Sequence, residues 1–385
     1  MMRLGPVALF YVLPSPRPQV IPGIEPQHHY NQVPPQFSAW EGLMQQYWWL
    51  YPGRSRRTRL RYSSAAAQEL RRAFAEFQPD VVIADFRAYD FLPMLKEYNV
   101  PLVMSGSNVE VLIERDFHDA KRLVKGLKYS LFDRIECYLN ISRTKQAEAT
   151  VIHQANQVWT CSNSDNHLLQ QIYGPFSNTQ MIPNGLKVSN YEKTRLGKCN
   201  SPRELGNKGR TILYAGTYIY PPNAWAAELL IEQIYPQLRQ IYPDCHLLLL
   251  GRNPTQKMLD TAQMDEGITV TGAVDDVLPY FAAASVMVVP LKHGSGTKLK
   301  VLEAFASGCP VITTAKGAEG FNVEDGKHFL LREEVDEIVA GICQLWAEPD
   351  LGKKLAQSAF ELLQAEYSWD AIEQTVRTAL QEVFC

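Results

Sequence analysis

Residue patterns that mark metal sites and disulfide frameworks are missing from this sequence of 385 residues. Its seven cysteines are odd in number, scattered along the chain and never spaced as C-x-x-C or as a Cys/His zinc site. An Asp-x-Asp pattern, which could supply two carboxylates to a divalent cation, is also missing. We therefore expect reduced thiols in a cytosolic protein that needs neither a metal nor another cofactor.

Long apolar runs and a charge imbalance are missing as well. No run approaches the roughly 18 apolar residues that a membrane-spanning helix needs. The short run that ends at Leu13 leads into Pro14 and Pro16 rather than into a small-residue cleavage site, which argues against a signal peptide. With 38 basic and 41 acidic residues, the sequence offers no global field for binding nucleic acid. These absences favour a cytoplasmic protein that recognises its ligand through a local site.

What the sequence does contain is a regular βα alternation that begins near Gln78. Short β-branched runs alternate with longer helical stretches, which is typical of parallel sheets with helices on both faces. We predict strands at 81–84, 101–104, 157–160, 211–214, 245–250, 268–271, 286–289 and 310–313. Helices are predicted at 224–242, 277–284 and 298–307, and over most of 107–154. The fold class is therefore α/β.

Two domains are expected because the chain exceeds the size at which a single core stops growing. The segment 186–210 is polar and rich in Gly, Asn, Lys and Ser, as an interdomain linker would be. We predict an N-terminal domain over 1–190, a linker over 191–210, a C-terminal domain over 211–365 and a terminal helix over 366–385.

The densest chemical signal is the strand, loop and helix over 289–310. A glycine-flanked turn follows the strand, and the helix is predicted to begin near Thr297 and to end at Gly308. Unpaired N–H groups and the macrodipole favour an anion at such a helix start, and a diphosphate would fit there. Lys298, placed in the first helical turn, would add a positive charge. The alternative is a solvated lysine on an ordinary helix.

Glu303 lies on a largely apolar stretch of the same predicted helix. A carboxylate there can be buried only with partners, and a pair of ribose hydroxyls would supply them. The alternative is an ion pair with Lys300 at spacing i, i+3.

The run from Ile212 to Phe321 resembles the donor-binding domain of the GT-B glycosyltransferases, specifically glycosyltransferase family 4. The resemblance is carried by the segments 212–223, 248–254, 270–276, 289–310 and 313–321. The form Gly294-Ser-Gly-Thr-Lys298 is similar to a subgroup of that family with Gly-Gly-Gly-Thr-Arg/Lys at this point. The resemblance implies two Rossmann-like domains that face a cleft, with the terminal helix crossing back to the first domain.

The same resemblance implies an enzyme that moves a sugar from a nucleoside-diphosphate sugar to a saccharide or lipid-linked acceptor, with retention of anomeric configuration. Lys298 would act beside the diphosphate and Glu303 on the donor ribose, and both are the implied catalytic residues. Lys300 and Arg252 are further candidate cations. The implied donor-binding residues are Gly216, Thr217, Arg252, Gly272, Val274, His293, Gly294, Ser295, Gly296, Thr297, Lys298, Leu299 and Glu303.

The first domain resembles the acceptor-side domain of the family through the segments 79–83, 107–110, 159–163 and 182–185. Ser107, Asn108 and Glu110 are the implied acceptor-side residues. Relatives usually carry a histidine at the position of Ser107, and a serine cannot relay a proton as a histidine does. The family also opens with a strand, a glycine loop and a long helix, whereas proline-rich sequence follows Leu13 here. Either the run that ends at Leu13 is the family's first strand with a diverged loop, or roughly one βαβ unit is missing. Of these, we favour a truncated N-terminal domain or a misassigned start codon.

Two alternatives stay open. A catalytically impaired relative that binds a nucleotide or a partner protein is the alternative function. It is motivated by Ser107, by the short N-terminus and by Ser295, which stands where the family's E-x7-E motif has its first glutamate. The aromatic run 47–51 is followed by five arginines within 54–61. This combination favours either peripheral contact with the inner face of an anionic membrane or a core aromatic patch followed by a solvated helix. A Rossmann oxidoreductase is disfavoured because no G-x-G-x-x-G follows a strand.

Overall fold

A computed structural model describes residues 7–12, 28–32, 38–47, 62–106, 108–125, 128–199, 209–294 and 296–384. Residues 48–61 of the aromatic and arginine run, together with Ser107 and Ser295, lie outside the described residues. The chain divides into two compact units, one of residues 1–182 with 373–385 and one of residues 183–372.

The first unit contains two parallel sheets. Strand β1 (Ala8–Val12) pairs with β2 (His28–Gln32). A four-stranded sheet follows in the order β3 (Val82–Ala84), β4 (Leu102–Gly106), β5 (Gln157–Thr160) and β6 (Thr179–Met181). The predicted strands at 81–84, 101–104 and 157–160 are thus confirmed, with ends that differ by two residues at most.

Six α-helices are described between residues 38 and 182 of the first unit. They are α1 (Ala39–Gln46), α2 (Ser64–Phe77), α3 (Leu92–Leu95), α4 (Glu110–Lys125), α5 (Leu131–Gln154) and α6 (Asn163–Tyr173), with 3₁₀ turns at Phe86–Phe91 and Lys96–Tyr98. Serine caps begin four of them, because Ser38, Ser63, Ser130 and Ser162 each accept a hydrogen bond from a first-turn N–H group. Buried residues such as Met104, Ile152 and Val158 form the core beneath.

The second unit is built on one six-stranded sheet in which every pairing is parallel. Its strands are β7 (Thr211–Ala215), β8 (His246–Leu250), β9 (Ile268–Val270), β10 (Val286–Val289), β11 (Val311–Thr313) and β12 (Leu330–Leu331), in the order β12-β11-β10-β7-β8-β9. All residues of β7, β8 and β10 are buried. Near-continuous apolar runs are expected of parallel strands covered on both faces.

Helices surround this sheet. They are α7 (Glu192–Arg195), α8 (Pro221–Leu229), α9 (Tyr235–Ile241), α10 (Gln256–Met264), α11 (Leu278–Ala283), α12 (Leu299–Ser307), α13 (Ala315–Ala318), α14 (Val335–Ala347) and α15 (Pro349–Leu362). A 3₁₀ turn at Val188–Tyr191 and π-turns at Leu230–Ile234 and Leu363–Tyr367 complete the unit. A last helix, α16 (Trp369–Phe384), belongs to the first unit from residue 373 onward.

Two details of the predicted helices are wrong. The stretch 224–242 is not one α-helix, since a π-turn separates α8 from α9. Pro236 explains the turn, because proline lacks an N–H group and its ring clashes with the carbonyl four residues earlier in a regular helix. Helix α12 begins at Leu299, so Lys298 is the N-cap residue rather than part of the first turn. Its predicted end at Gly308, in the left-handed conformation with φ of 73°, is confirmed.

None of the helices in the described ranges combines the length and the apolar character that a bilayer crossing requires.

Candidate functional site

The candidate site lies at the carboxyl edge of the six-stranded sheet, where the strand order reverses. From β7 the chain moves outward through β8 and β9, and it then returns to the other side of β7 with β10. In open α/β sheets, ligands bind outside the carboxyl ends of the strands at such a switch point. The loop that leaves β7 carries Gly216, and the loop that leaves β10 leads into α12 with Lys298 and Lys300.

Glycines allow the loops after β7 and β8 to approach each other closely. The Gly216 N–H group donates to the Leu250 carbonyl oxygen at 2.9 Å. At Gly251, where φ is +142°, a Cβ atom would lie 1.7 Å from the Gly216 carbonyl oxygen. Only glycine fits at position 251. The Gly251 N–H group donates to Thr271 Oγ1 at 3.3 Å and the Thr271 hydroxyl donates to the Gly272 carbonyl at 2.9 Å, so Gly272 joins the same edge.

Lys300 places its ammonium against the loop after β7. Lys300 Nζ donates to Asn223 Oδ1 at 2.8 Å and to Tyr214 Oη at 3.1 Å, and it lies 4.3 Å from the centroid of the Tyr214 ring. A Cβ atom at Gly216 would lie 3.2 Å from Nζ. Among the described residues, no carboxylate oxygen lies within 4.0 Å of this ammonium. Its contacts are therefore neutral oxygens and one aromatic ring.

Burial lowers the pKa of Lys300 to about 7, and the nearby Lys298 ammonium acts in the same direction. The carboxylate of Glu303 opposes this shift, but only in part. A lysine held in this way lacks charge compensation from the protein. Its environment would be completed by an anion from outside.

The side chain of Asn223 holds this arrangement together. Its amide oxygen accepts hydrogen bonds from Lys300 and from the Tyr214 hydroxyl, which lies at 2.9 Å. Its amide nitrogen donates to the Thr217 carbonyl at 3.0 Å. Asn223, in the first turn of α8, thus connects the predicted glycine loop to Lys300 of α12.

Lys298 is buried at the start of α12. Its ammonium donates to the Gly296 carbonyl and lies 3.6 Å from Glu319 Oε2. Glu319 is shared, because Lys316 Nζ lies 2.9 Å from the same carboxylate oxygen. Lys298 and Lys316 therefore share the carboxylate of Glu319.

No side chain among the described residues caps the N-terminus of α12. The loop before it bends through Gly294 and Gly296, whose φ angles of +114° and +75° favour glycine. Thr297 Oγ1 accepts a hydrogen bond from Asn184 Nδ2 at 2.7 Å, which fixes the loop on the other side. Helix N-termini without an internal acceptor attract anions through their N–H groups and dipole.

Glu303 lies one turn further along α12 and faces Tyr191. The Tyr191 hydroxyl donates to Glu303 Oε1 at 3.3 Å. Burial raises the pKa of Glu303, while the Tyr191 hydrogen bond and Lys300 lower it. The alternative ion pair with Lys300 is not formed within 4.0 Å in the described structure. One long hydrogen bond leaves most of the acceptor capacity of this carboxylate unused.

The remaining predicted donor-binding residues form two groups: those beside α8 or at the start of α12, and those without a described contact to Lys298 or Lys300. Thr217 and His293 lie beside α8, where the His293 ring meets Trp225 edge-on at 5.8 Å. Leu299 is exposed at the start of α12. Arg252 is exposed and contributes its carbonyl to the Tyr218 N–H group at 2.9 Å, and Val274 packs on the core. No described contact brings Arg252 or Val274 to the lysines.

Of the three acceptor-side residues, Asn108 and Glu110 are described, and both are partly buried in the first unit. The N–H groups of Glu110 and Val111 donate to the carboxylate of Glu148 at 3.0 and 3.3 Å. Glu148 is fully buried and also accepts a hydrogen bond from the Tyr173 hydroxyl. Burial raises the pKa of Glu148 to about 7.

Sequence reasoning missed four residues of the second unit that contact the predicted site: Tyr191, Tyr214, Asn223 and Glu319. Tyr214 and Tyr191 read as ordinary core aromatics in the sequence. The pair Pro221-Pro222 followed by Asn223 could have indicated a helix start whose third residue faces the loop, since proline is favoured in the first helical turn.

The fold and this site define a class. The two α/β units with parallel sheets have the architecture of the GT-B glycosyltransferases, as similar solved structures indicate. One is the sucrose-phosphate synthase of Thermosynechococcus elongatus, with a TM-score of 0.64 and 18% identity over 83% of this chain and 77% of that one. Another is HepE of Anabaena in complex with UDP and glucose, with a TM-score of 0.60 and 15% identity over 82% and 81% of the two chains.

Residues 209–348 match the sequence model of the family described as Glycosyl transferases group 1. Among curated proteins, the lipopolysaccharide 1,2-N-acetylglucosaminetransferase of Salmonella typhimurium is 23% identical over 226 residues, which cover 54% of this chain and 58% of that protein. The chain spans about half the length of the curated relatives it matches, from 40% to 58%. The second unit therefore carries the family match, and it contains the candidate site.

Proposed function

We propose that this protein is a glycosyltransferase that binds a nucleoside-diphosphate sugar at the carboxyl edge of the second unit. It transfers the sugar to a saccharide or lipid-linked acceptor with retention of anomeric configuration. The observation that carries the proposal is Lys300, an ammonium without a carboxylate partner among the described residues, set beside the uncapped N-terminus of α12. A doubly charged diphosphate would supply the missing negative charge.

The departing nucleoside diphosphate accumulates negative charge as the glycosidic bond to the donor sugar breaks. The Lys298 and Lys300 ammonium groups and the amides of residues 296–300 would stabilise that charge before the reaction begins. Preorganised donors in a site shielded from water supply a large part of the rate enhancement in such reactions. Positioning of the acceptor supplies the remainder, and no step requires a metal from these residues.

Glu303 would accept hydrogen bonds from the ribose hydroxyls of the donor. Its partly buried carboxylate has one long hydrogen bond, from Tyr191, and therefore retains acceptor capacity for two hydroxyl groups. The similarity to a structure that contains UDP and to a transferase that acts on lipopolysaccharide supports a nucleotide donor and a saccharide acceptor.

A second candidate function is nucleotide binding without transfer. It is favoured by Ser107, which replaces the histidine usual in the family and cannot relay a proton. In that case the second unit would bind its ligand as described, and the first unit would not complete the reaction.

Isothermal titration calorimetry with UDP and GDP tests the binding site, and donor hydrolysis and transfer on a panel of nucleotide sugars test the reaction. We expect one of the two nucleotides to bind to a single site and one donor to be turned over. Binding without turnover on any donor would favour the second candidate. If neither nucleotide binds, both functions are wrong.

A further inference from the structure

Asn223 occupies the position at which an internal counter-ion for Lys300 would stand. Its Oδ1 atom accepts hydrogen bonds from Lys300 Nζ at 2.8 Å and from the Tyr214 hydroxyl at 2.9 Å. Its Nδ2 atom donates to the Thr217 carbonyl oxygen at 3.0 Å, which fixes the orientation of the amide. An aspartate has the same shape, with an oxygen in place of Nδ2. A carboxylate could therefore replace the amide beside this ammonium.

Two features of the second unit would favour a carboxylate at position 223. The residue lies in the first turn of α8, which has no acidic residue in that turn, and a helix N-terminus stabilises negative charge. The Lys300 ammonium would also gain a partner of opposite charge. Of the described contacts, the hydrogen bond to the Thr217 carbonyl needs the amide, since a carboxylate cannot donate it. The chain thus carries a neutral side chain where electrostatics favours an anion.

The second hydrogen-bond acceptor of the Lys300 ammonium is neutral as well. Tyr214 is fully buried, and burial raises the pKa of its hydroxyl well above the ordinary value. At Gly216, a Cβ atom would lie 2.9 Å from Asn223 Cγ and 3.2 Å from Lys300 Nζ, so glycine gives both groups room beside the loop backbone. Asn223, Tyr214 and Gly216 therefore allow the ammonium to be held in place without being neutralised.

We propose that Asn223 is a positioning residue that fixes the Lys300 ammonium and leaves its charge for the phosphates of the ligand. The neutral amide makes this edge of the sheet select a nucleoside diphosphate over the corresponding nucleoside. An aspartate at the same position would pair with Lys300, and the ammonium would no longer need an anion from outside. The inference rests on the proposed function, because that function assigns the diphosphate to this edge.

Isothermal titration calorimetry with UDP, GDP, uridine and guanosine tests this selection. We expect Asn223→Asp to lose at least about tenfold in affinity for the nucleotide that binds, because Lys300 is then paired and the new charge repels phosphate. Its affinity for the corresponding nucleoside should stay the same. Asn223→Ala removes the same contacts without adding a charge, and it should lose less nucleotide affinity than Asn223→Asp. Gln263→Glu adds the same charge at an exposed amide on α10 and should bind as the unaltered chain does.

A double-mutant cycle of urea denaturation tests the pairing without any nucleotide. Asn223→Asp is compared in the unaltered chain and in Lys300→Met, since methionine cannot pair with the new carboxylate. We expect the change in the unfolding equilibrium constant to favour the folded state by about tenfold more when Lys300 is present. An equal change in both backgrounds overturns the inference.

The calorimetry can overturn the inference in two further ways. One is equal nucleotide affinity in Asn223→Asp and Gln263→Glu. The other is a purely structural role of Asn223, in which Asn223→Ala loses as much nucleotide affinity as Asn223→Asp, or nucleoside affinity falls in the same proportion. If the unaltered chain binds neither nucleotide, the proposed function is wrong, and the cycle still decides whether Asn223 leaves Lys300 without a counter-ion.

Discussion

The two units differ at the N-terminus of a helix that follows a strand of the parallel sheet. In the first unit, α4 follows β4, and the N–H groups of Glu110 and Val111 at its start donate to the buried carboxylate of Glu148. In the second unit, α12 follows β10 and its start has no side-chain cap but two lysines nearby. A helix N-terminus after a parallel strand attracts an anion in both cases.

The difference separates a site that is already filled from a site that is open. Glu148 supplies the carboxyl acceptor for the start of α4 from within the chain, and its oxygens accept three hydrogen bonds. Near α12 the only described carboxylate beside Lys298 is Glu319, which Lys316 also engages, and Lys300 has none within 4.0 Å. The comparison teaches that unbalanced charge, rather than the helix start alone, distinguishes the candidate ligand site.

Removal of the internal acceptor, Glu148, should have the largest effect. We expect Glu148→Ala to lower the free energy of unfolding by about 3 kcal/mol, because two N–H groups and the Tyr173 hydroxyl lose their buried acceptor. Urea denaturation measures the loss. UDP affinity of the folded variant should be unchanged, and a loss of nucleotide binding without loss of stability would reverse the roles of the two sites.

Glu148 also predicts a pH dependence of stability. Its pKa is raised to about 7 in the folded chain from a model-compound value of 4.5, so the folded state binds more protons between those values. The stability contributed by this group is therefore complete at low pH and is lost as the pH rises toward 7. Glu148→Gln, which cannot titrate, should remove that part of the dependence in denaturation curves recorded across this range.

Removal of the unpaired cation should weaken ligand binding instead of the fold. We expect Lys300→Met to lower UDP or GDP affinity between tenfold and a hundredfold, since a hydrogen bond to a charged group contributes about 1.5–3 kcal/mol. The free energy of unfolding should not fall, because burial of an uncompensated ammonium opposes folding. Lys353→Met, at a lysine side chain 78% exposed in the same unit, is the control. Equal affinity losses in both variants would point to a general charge effect.

Removal of the ribose contact should have a smaller effect. Glu303→Ala should reduce nucleotide affinity several-fold or more, because one charge-assisted hydrogen bond is lost. Calorimetry with UDP and with 2′-deoxy-UDP separates the ribose from the rest of the ligand. The unaltered chain should prefer UDP and the variant should not, whereas an unchanged preference would place the ribose elsewhere.

The pH dependence of binding should be the smallest effect. The pKa of Lys300 is lowered to about 7, and a bound diphosphate favours the charged form, so nucleotide binding takes up a proton above that pH. Affinity should then fall as the pH rises above 7, by at most about tenfold per pH unit. Calorimetry in buffers of different ionisation enthalpy measures the uptake. The same uptake in Lys300→Met would assign it to another group.

Much of the second unit was predictable from the sequence because its strands are short, apolar and bounded by glycine or proline. The end of α12 at Gly308 and the glycine loop at Gly216 follow from local chemistry. The environment of Lys300 was not predictable, since its partners Tyr214 and Asn223 lie 86 and 77 positions away in the sequence. Glu148 was missed for the same reason, because it caps a helix 37 and 38 positions earlier.

The most direct test compares UDP with uridine, which lacks the diphosphate, on the unaltered chain and on Lys298→Met/Lys300→Met. Calorimetry should show that the unaltered chain binds UDP far more tightly than uridine, and that the double variant loses most of this preference while its affinity for uridine stays the same. A double variant that retains the full preference for UDP would contradict the assignment of the diphosphate to the start of α12.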